Sequence, residues 1–110
     1  MTLSEKQRKF TCLVAKLIQW AYANGYELTF GETYRTPEQQ AIYVQKGLSK
    51  TTNSKHLEKL AVDFNLFIEG KYRTDKPAYS ALGDYWKSLD PECVWGGDWG
   101  WDANHFQFTK

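Results

Sequence analysis

Residues 61–68, AVDFNLFI, constrain the fold most strongly, because large apolar side chains recur at every second position. A period of two is typical of a β-strand with one buried face. The core face of this strand is expected to carry Val62, Phe64, Leu66 and Ile68. Asp63 and Asn65 then lie on the opposite face, directed toward solvent or into a cleft. The segment therefore predicts a strand with polar groups on the face away from the core.

The other segments of the chain add helices and shorter strands to this one. Apolar side chains at three- and four-residue spacing predict helices over residues 4–23 and 77–89. A cap at Thr36 and a proline after it predict the start of a further helix, which ends at Gly47. Strands are predicted over 26–34 and 104–108, a loop over 48–55 and irregular structure over 94–101. We therefore expect an α+β fold in which helices pack on a small, mostly antiparallel sheet.

The composition of the chain limits its size class and its partners. A length of 110 residues suits one domain, so we expect residues 1–110 to form a single domain and a monomer. The 14 basic and 13 acidic residues give a net charge of +1. Nucleic-acid-binding proteins usually show a basic surplus, so we expect no nucleic-acid partner. The polar N-terminus and the lack of a long apolar run predict neither a signal peptide nor stable membrane association.

Two histidines occur in the chain, and each adjoins a polar strand face. His56 precedes the strand that carries Asp63, and His105 lies opposite Phe106 in the predicted strand 104–108. If neighbouring strands bring these faces together, two histidines and one aspartate meet in a common cleft. That set matches the ligands of a catalytic Zn²⁺ site, where the fourth position is left for water. The alternative is that both histidines are ordinary surface or core residues and that Asp63 is a solvated side chain.

Asp102 and Arg35 are candidates for the other groups that hydrolysis at zinc requires. A carboxylate near the metal must accept a proton from water, and Asp102 precedes His105 by three residues. Glu58 is a weaker alternative for this base. Arg35 follows the polar face of the predicted strand 26–34, where its guanidinium could stabilise an oxyanion or bind a substrate carboxylate.

Three stretches of the sequence resemble the signatures of a zinc peptidase family. Residues 54–63, SKHLEKLAVD, resemble the pattern S-x-H-x-x-G-x-A-x-D. Residues 95–99, WGGDW, with 102–107, DANHFQ, resemble W-G-G-x-W followed by D-x-x-H-F-[EQ]. Upstream, residues 34–40 resemble Y-R-[ST]-x-x-[EQ]-Q. The family holds D-alanyl-D-alanine carboxypeptidases and dipeptidases and phage L-alanyl-D-glutamate endopeptidases, and the resemblance implies the Hedgehog/D-Ala-D-Ala peptidase fold.

The resemblance also implies roles for individual residues. It implies one Zn²⁺ ion with His56, Asp63 and His105 as ligands. It implies Asp102 as the catalytic base and Arg35 as a catalytic residue that also contacts the substrate. These roles agree with the ones that strand parity and chemistry suggest.

Substrate contacts are expected from a few further residues around this group. The resemblance implies that Ser54 lies near the ligands or touches the substrate. Trp99 and Trp101, together with Trp95, either line the cleft as substrate contacts or anchor a glycine-rich loop. One position departs from the family pattern, because Lys59 occupies the place of its glycine. We expect the turn to differ locally there and Lys59 to face the mouth of the cleft.

The function that the resemblance implies is zinc-dependent hydrolysis of the stem peptide of bacterial peptidoglycan. The favoured form is an L-alanyl-D-glutamate endopeptidase that acts as a phage or prophage endolysin. It would be made in the host cytoplasm and would reach the cell wall after a holin-like partner permeabilises the membrane. We expect no separate cell-wall-binding domain. The alternatives are a D-alanyl-D-alanine carboxypeptidase and, from another class, a non-catalytic wall-binding module; a metal nuclease is disfavoured by the near-neutral charge.

Overall fold

A computed structural model describes residues 1–49 and 54–109 of the chain. Its three α-helices are α1 (Leu3–Ala23), α2 (Pro37–Gln45) and α3 (Lys76–Leu89). Its five strands are β1 (Tyr26–Phe30), β2 (Ala61–Ile68), β3 (Lys71–Arg73), β4 (Cys93–Trp95) and β5 (His105–Phe108). Short 3₁₀ helices cover Lys55–Glu58 and Gly96–Trp99. Among the helices of these two ranges, none combines the length and the apolar composition that a membrane span requires.

The strands form one antiparallel sheet, which confirms the predicted fold class. The order is β1-β2-β5-β4, and β3 pairs with β2 beside this path. In the pairing of β2 with β5, Asp63 lies opposite His105 and Val62 lies opposite Phe106. Because β2 and β5 are neighbours, their polar faces form one continuous surface and their apolar faces form another.

The core lies between the apolar face of the sheet and helices α1 and α3. Both helices bury the stripes that the three-four spacing predicted, and the buried cluster joins Leu17 and Leu82 to Phe64 and Phe106 of the strands. Trp86 fixes α3 to the sheet, because its indole N–H lies 3.1 Å from the carbonyl oxygens of both Val94 and Gln107. With the helices on one face, the opposite face around Asp63 and His105 is left for a site.

The first strand ends earlier than predicted. β1 stops at Phe30, whereas the sequence pattern extended it to Tyr34. The chain leaves the regular pairing because Gly31 N–H donates to the Asp63 carbonyl at 2.7 Å and Asp63 N–H donates to the Glu32 carbonyl at 2.8 Å. Beyond these bonds the chain turns toward the 3₁₀ helix that carries His56.

Two other boundaries also differ from the sequence pattern. α2 ends at Gln45 instead of Gly47, which adopts a left-handed conformation with φ of +73°. The segment 94–101 was expected to be irregular, but it contributes the end of β4 and the 3₁₀ helix Gly96–Trp99. Of the predicted loop 48–55, residues 50–53 lie outside the described residues.

The expectation for Lys59 is wrong. Lys59 adopts the left-handed conformation that a glycine would take there, with φ of 58° and ψ of 38°. For a residue with a Cβ this costs about 1–2 kcal/mol. The Lys59 ammonium lies 5.3 Å from the centre of the Tyr34 ring, and its side chain lines a groove beside α1 rather than the cleft that contains His56. The backbone of the turn therefore has the conformation that suits glycine, and the lysine side chain lies away from the cleft.

Candidate active site

The structure brings together the three predicted ligands. One ligand atom from each of His56, Asp63 and His105 lies within 4.8 Å of the others. Asp63 Oδ1 is central, because it lies 3.3 Å from His56 Nε2 and 3.2 Å from His105 Nδ1. The two histidines are almost fully buried, and Asp63 is partly buried. Their nitrogen and oxygen atoms therefore converge at one point on the polar face of the sheet.

In each histidine, a hydrogen bond to one ring nitrogen fixes the direction of the second ring nitrogen. His56 Nδ1 lies 2.9 Å from the Thr33 carbonyl oxygen, so its Nε2 is directed toward Asp63. His105 Nε2 lies 2.7 Å from the side-chain oxygen of Gln107, so its Nδ1 is directed inward. Gln107 in turn donates to the Thr109 carbonyl at 3.0 Å. Metal-binding histidines are commonly held in this way by a hydrogen bond to the nitrogen that does not bind metal.

The electrostatics of the cluster favour a cation. Burial opposes ionisation of Asp63, but hydrogen bonds from His105 and His56 outweigh it and lower the pKa of the carboxyl to about 2. Burial alone would lower the pKa of His105, yet its hydrogen bonds to Asp63 and Gln107 and the charge of Asp102 raise it overall. An ionised carboxylate and two oriented imidazoles match the nitrogen and oxygen ligands that Zn²⁺ takes in catalytic sites. The donor set present thus fits the metal that the sequence predicted.

A short segment after β1 positions most of this cluster through its backbone. Gly31 and Glu32 bind the backbone of Asp63, as described above, and the Thr33 carbonyl binds the His56 ring. Gly31 is close-packed, because an added Cβ would lie 3.0 Å from the Asp63 carbonyl oxygen. The segment therefore holds a strand residue and a 3₁₀-helix residue at a fixed separation.

Asp102 lies beside the cluster without belonging to it. Its Oδ2 is 3.8 Å from His105 Nδ1, and its carbonyl oxygen accepts from His105 N–H at 3.1 Å. Burial raises the pKa of this carboxyl above its usual value, the charge of His105 opposes the rise and that of Asp63 adds to it. A carboxylate with a raised pKa is a better proton acceptor, as a general base requires.

Gly96 lets the Asp102–His105 turn pack against the first turn of the 3₁₀ helix. An added Cβ at Gly96 would lie 2.2 Å from the Asp102 carbonyl oxygen and 2.9 Å from His105 Cβ. Such separations are below van der Waals contact, so Asp102 and His105 would have to move. Glycine at this position therefore sets the placement of both residues.

Gly96→Ala is expected to lower stability by about 1–3 kcal/mol through overpacking and to weaken zinc binding by at least about tenfold, because His105 is displaced. Chemical denaturation and zinc titration against a chromophoric chelator measure the two effects. Gly25→Ala is the matched control, since Gly25 has φ of +83° and open space around an added Cβ. It should lower stability by about 1 kcal/mol without changing zinc affinity. Equal zinc affinities in the two variants would contradict this role of Gly96.

Arg35 is fixed by a network that the sequence reading missed. Its Nε donates to Glu32 Oε1, and its Nη1 donates to the side-chain oxygen of Gln40 at 2.6 Å. The guanidinium also lies 4.7 Å from the centre of the Tyr43 ring, whose hydroxyl donates to Glu32 Oε2 at 3.0 Å. Gln40 is buried and bonds onward to the Ser49 hydroxyl. Gln40 is the buried residue of α2, and because its burial appears only in the structure, the sequence pattern of the helix did not point to this role.

Glu32→Gln is expected to lower kcat/KM by about tenfold, because it removes a charge-assisted bond that holds Arg35. Zinc affinity should stay the same, since Glu32 binds Asp63 only through its backbone carbonyl. Steady-state kinetics on peptidoglycan fragments and a zinc titration test this together. Glu27→Gln, an exposed carboxylate on β1, is the control. Identical kinetics for the two variants would contradict the network.

The candidate catalytic residues line one open cavity of about 440 Å³. Its lining includes Arg35, Ser54, His56, Asp63, Trp99, Trp101, Asp102 and His105. Trp99 and Trp101 are half-exposed, and the Trp99 ring lies 5.2 Å from the His105 ring. Trp95 is instead buried, with its N–H bonded to the Ala103 carbonyl at 2.7 Å. The tryptophans therefore divide into two that line the cleft and one that anchors the loop.

The position of Glu58 argues against its role as the catalytic base. Its carboxylate pairs with Lys55 at 3.2 Å, and it is absent from the lining of the cavity. Asp102 lines the cavity, and is therefore the better placed of the two carboxylates.

Comparisons with known proteins identify the family of the chain. A family described as D-alanyl-D-alanine carboxypeptidase matches residues 48–108. The L-alanyl-D-glutamate peptidase of Listeria phage A118 is 43% identical over 102 residues, which are 86% of this chain and 34% of that protein. The chain thus spans about a third of the length of this curated relative.

Solved structures show the same fold. The L-Ala D-Glu endopeptidase ChiX of Serratia marcescens superposes with a TM-score of 0.77 at 23% identity, over 96% of this chain and 85% of its own. The vancomycin-resistance D,D-pentapeptidase VanY, solved in complex with Zn(II), superposes with a TM-score of 0.57 at 22% identity, over 93% and 71%. Because the family match covers more than half of the sequence, the chain belongs to the M15 peptidase family, that of D-alanyl-D-alanine carboxypeptidase.

Proposed function

We propose that this chain is a zinc-dependent peptidoglycan peptidase that hydrolyses the bond between L-alanine and D-glutamate in the stem peptide. The observation that carries the proposal is the convergence of His56, Asp63 and His105 in one cavity with Asp102 beside them. The identity of 43% to a phage L-alanyl-D-glutamate peptidase supports the choice of bond.

The residues of the site have three separate roles in hydrolysis: metal binding, proton transfer and charge stabilisation. His56, Asp63 and His105 would hold one Zn²⁺ ion, which when bound supplies a Lewis acid and an acidified water at neutral pH. Asp102 accepts a proton from the attacking water and delivers it to the amine that leaves. Arg35, held by Glu32 and Gln40, stabilises the negative charge that develops on the scissile carbonyl oxygen.

The substrate contacts follow from the lining of the cavity. Ser54, Trp99 and Trp101 border the space around the ligands, so a peptide that reaches the zinc site must touch them. Aromatic side chains of this kind bind extended ligands through large apolar area with little loss of conformational freedom. We assign these three residues to substrate binding.

The biological setting extends the same proposal. The phage origin of the relative supports an endolysin that is made in the host cytoplasm and acts on the cell wall. A holin-like partner would then open the membrane to it. Residues 1–110 would act as one catalytic domain and as a monomer.

A carboxypeptidase is the second candidate function. The matching family is described as D-alanyl-D-alanine carboxypeptidase, and VanYB has been solved in complex with D-Alanine-D-Alanine. In that reaction Arg35 would bind the free terminal carboxylate of the substrate. The two functions differ in the bond that is cut and not in the zinc chemistry.

Purified peptidoglycan incubated with zinc-loaded and with chelated protein tests the proposal. We expect zinc-dependent loss of turbidity, its recovery when zinc is returned to the chelated sample, and one zinc ion per chain by metal analysis. Stoichiometric zinc with binding to peptidoglycan but no cleavage would overturn the proposal in favour of a wall-binding module. Cleavage that persists in the chelated sample would overturn the role of the metal.

A further inference from the structure

A second cavity adjoins the one that contains the candidate catalytic residues. It measures about 390 Å³, and its lining includes Tyr72, Thr74, Lys76, Trp101 and Asn104. Trp101 and Asn104 also line the catalytic cavity, so the two cavities share part of their wall. A peptide that lies across the exposed Trp101 ring would contact both cavities.

The charge of the second cavity differs from that of the first. The cations in the catalytic cavity are already paired, Arg35 with Glu32 and Lys55 with Glu58. Lys76 forms no ion pair within residues 1–49 and 54–109, and no acidic side chain from these residues lines the cavity that it borders. The Lys76 ammonium is thus available to an anion.

The nearest carboxylate along the chain does not neutralise Lys76. Asp75 makes two hydrogen bonds to the Arg73 guanidinium, at 2.9 and 3.0 Å. The same carboxylate caps α3 by accepting from Ala78 N–H at 3.1 Å. Asp75 is therefore occupied on both oxygens and does not pair with Lys76, the first residue of α3.

We propose that this second cavity is a substrate subsite in which Lys76 binds a free carboxylate of the stem peptide. The inference rests on the proposed peptidase function. D-Glutamate has two carboxyl groups, and only one of them can continue the peptide chain, so a stem peptide keeps a free carboxylate just after the scissile bond. In diaminopimelate-type peptidoglycan the next residue adds another. A lysine ammonium beyond Trp101 recognises either group through the same charge-assisted bond.

Three synthetic stem peptides test the subsite on the zinc-loaded full chain. One has free carboxylates, one is amidated at the glutamate and one is amidated at the diaminopimelate. Lys76→Gln should raise KM for the free peptide about two- to fivefold with kcat unchanged, because a ground-state contact is lost. It should have no effect on the peptide whose amide replaces the recognised carboxylate. Lys71→Gln, an exposed lysine on β3 outside both cavities, is the control.

The outcomes separate the subsite from the proposed function. Equal KM values for Lys76→Gln and Lys71→Gln with the free peptide, or the same rise for all three peptides, would overturn the subsite. If the unaltered protein cleaves none of the peptides, the proposed function fails. Calorimetry of peptide binding then tests the subsite by itself. The subsite requires that the free peptide bind more weakly to Lys76→Gln than to the unaltered protein, and that one amidated peptide bind equally to both.

Discussion

Asp102→Asn is expected to lower kcat for peptidoglycan cleavage by about 10²–10⁴-fold, the range that a general base contributes. Asparagine keeps the shape of the side chain but cannot accept the proton. Zinc affinity should change little, because the Asp102 carboxylate lies outside the group formed by His56, Asp63 and His105. A loss confined to kcat therefore distinguishes a base from a ligand. Single-turnover cleavage and a zinc titration on the same samples measure the two quantities.

Asp98→Asn provides the matched control for this variant. Asp98 lies four residues before Asp102, at the surface, and pairs with Lys87 at 2.9 Å. The same chemical change there should leave kcat within about twofold, because exposed ion pairs contribute little. Near-normal cleavage by Asp102→Asn would remove Asp102 as the base.

Asp63→Asn is expected to abolish cleavage and to weaken zinc binding by more than about 100-fold. Loss of a residue that only hydrogen-bonds to a metal ligand already lowers metal affinity about 10–100-fold, and Asp63 would be a ligand itself. Asp63 is the central member of the cluster and is ionised at neutral pH, because the pKa of its carboxyl lies at about 2. An amide is a poorer zinc ligand and carries no charge to offset that of the cation. Competition with a chromophoric chelator measures the affinity.

Asn65→Ala controls for changes to the polar face of β2. Asn65 lies two residues farther along the strand, and its amide donates to the Thr29 hydroxyl at 3.1 Å. Losing this exposed bond should alter stability by about 0.5–1.5 kcal/mol and leave zinc affinity unchanged. Retention of tight zinc binding by Asp63→Asn would show that the metal binds elsewhere.

Strand parity explains why much of the candidate site could be predicted. A period of two separates Asp63 from Phe64 and His105 from Phe106 whatever the rest of the fold does. Once β2 and β5 pair with their apolar sides toward the helices, Asp63 and His105 lie on the same opposite face, and the observed register places them directly opposite each other. The sequence alone could therefore assign the face. His56 was a candidate because it precedes the strand, but it lies in a short 3₁₀ helix where no strand periodicity applies, and the resemblance added support for it as a ligand.

The groups that position the site were beyond sequence reasoning for a physical reason. Thr33, Glu32 and Gln40 act through bonds to residues that are distant in sequence or that lie in irregular backbone, where no periodicity applies. Gln107 is the exception, because it shares the polar face of β5 with His105 and lies two positions away. The same parity that located His105 contained this signal. For Lys59 the sequence led to a wrong prediction. The expected local change of the turn does not occur, because the lysine adopts the strained left-handed conformation.

Mass spectrometry of the fragments released from diaminopimelate-type peptidoglycan tests the central claim most directly. Zinc-loaded protein should release stem peptides that begin at D-glutamate and leave L-alanine on the glycan, and a chelated sample should release none. Loss of terminal D-alanine alone would contradict the endopeptidase account and establish a carboxypeptidase. The absence of any new fragment from zinc-loaded protein would contradict both forms of the proposed hydrolysis.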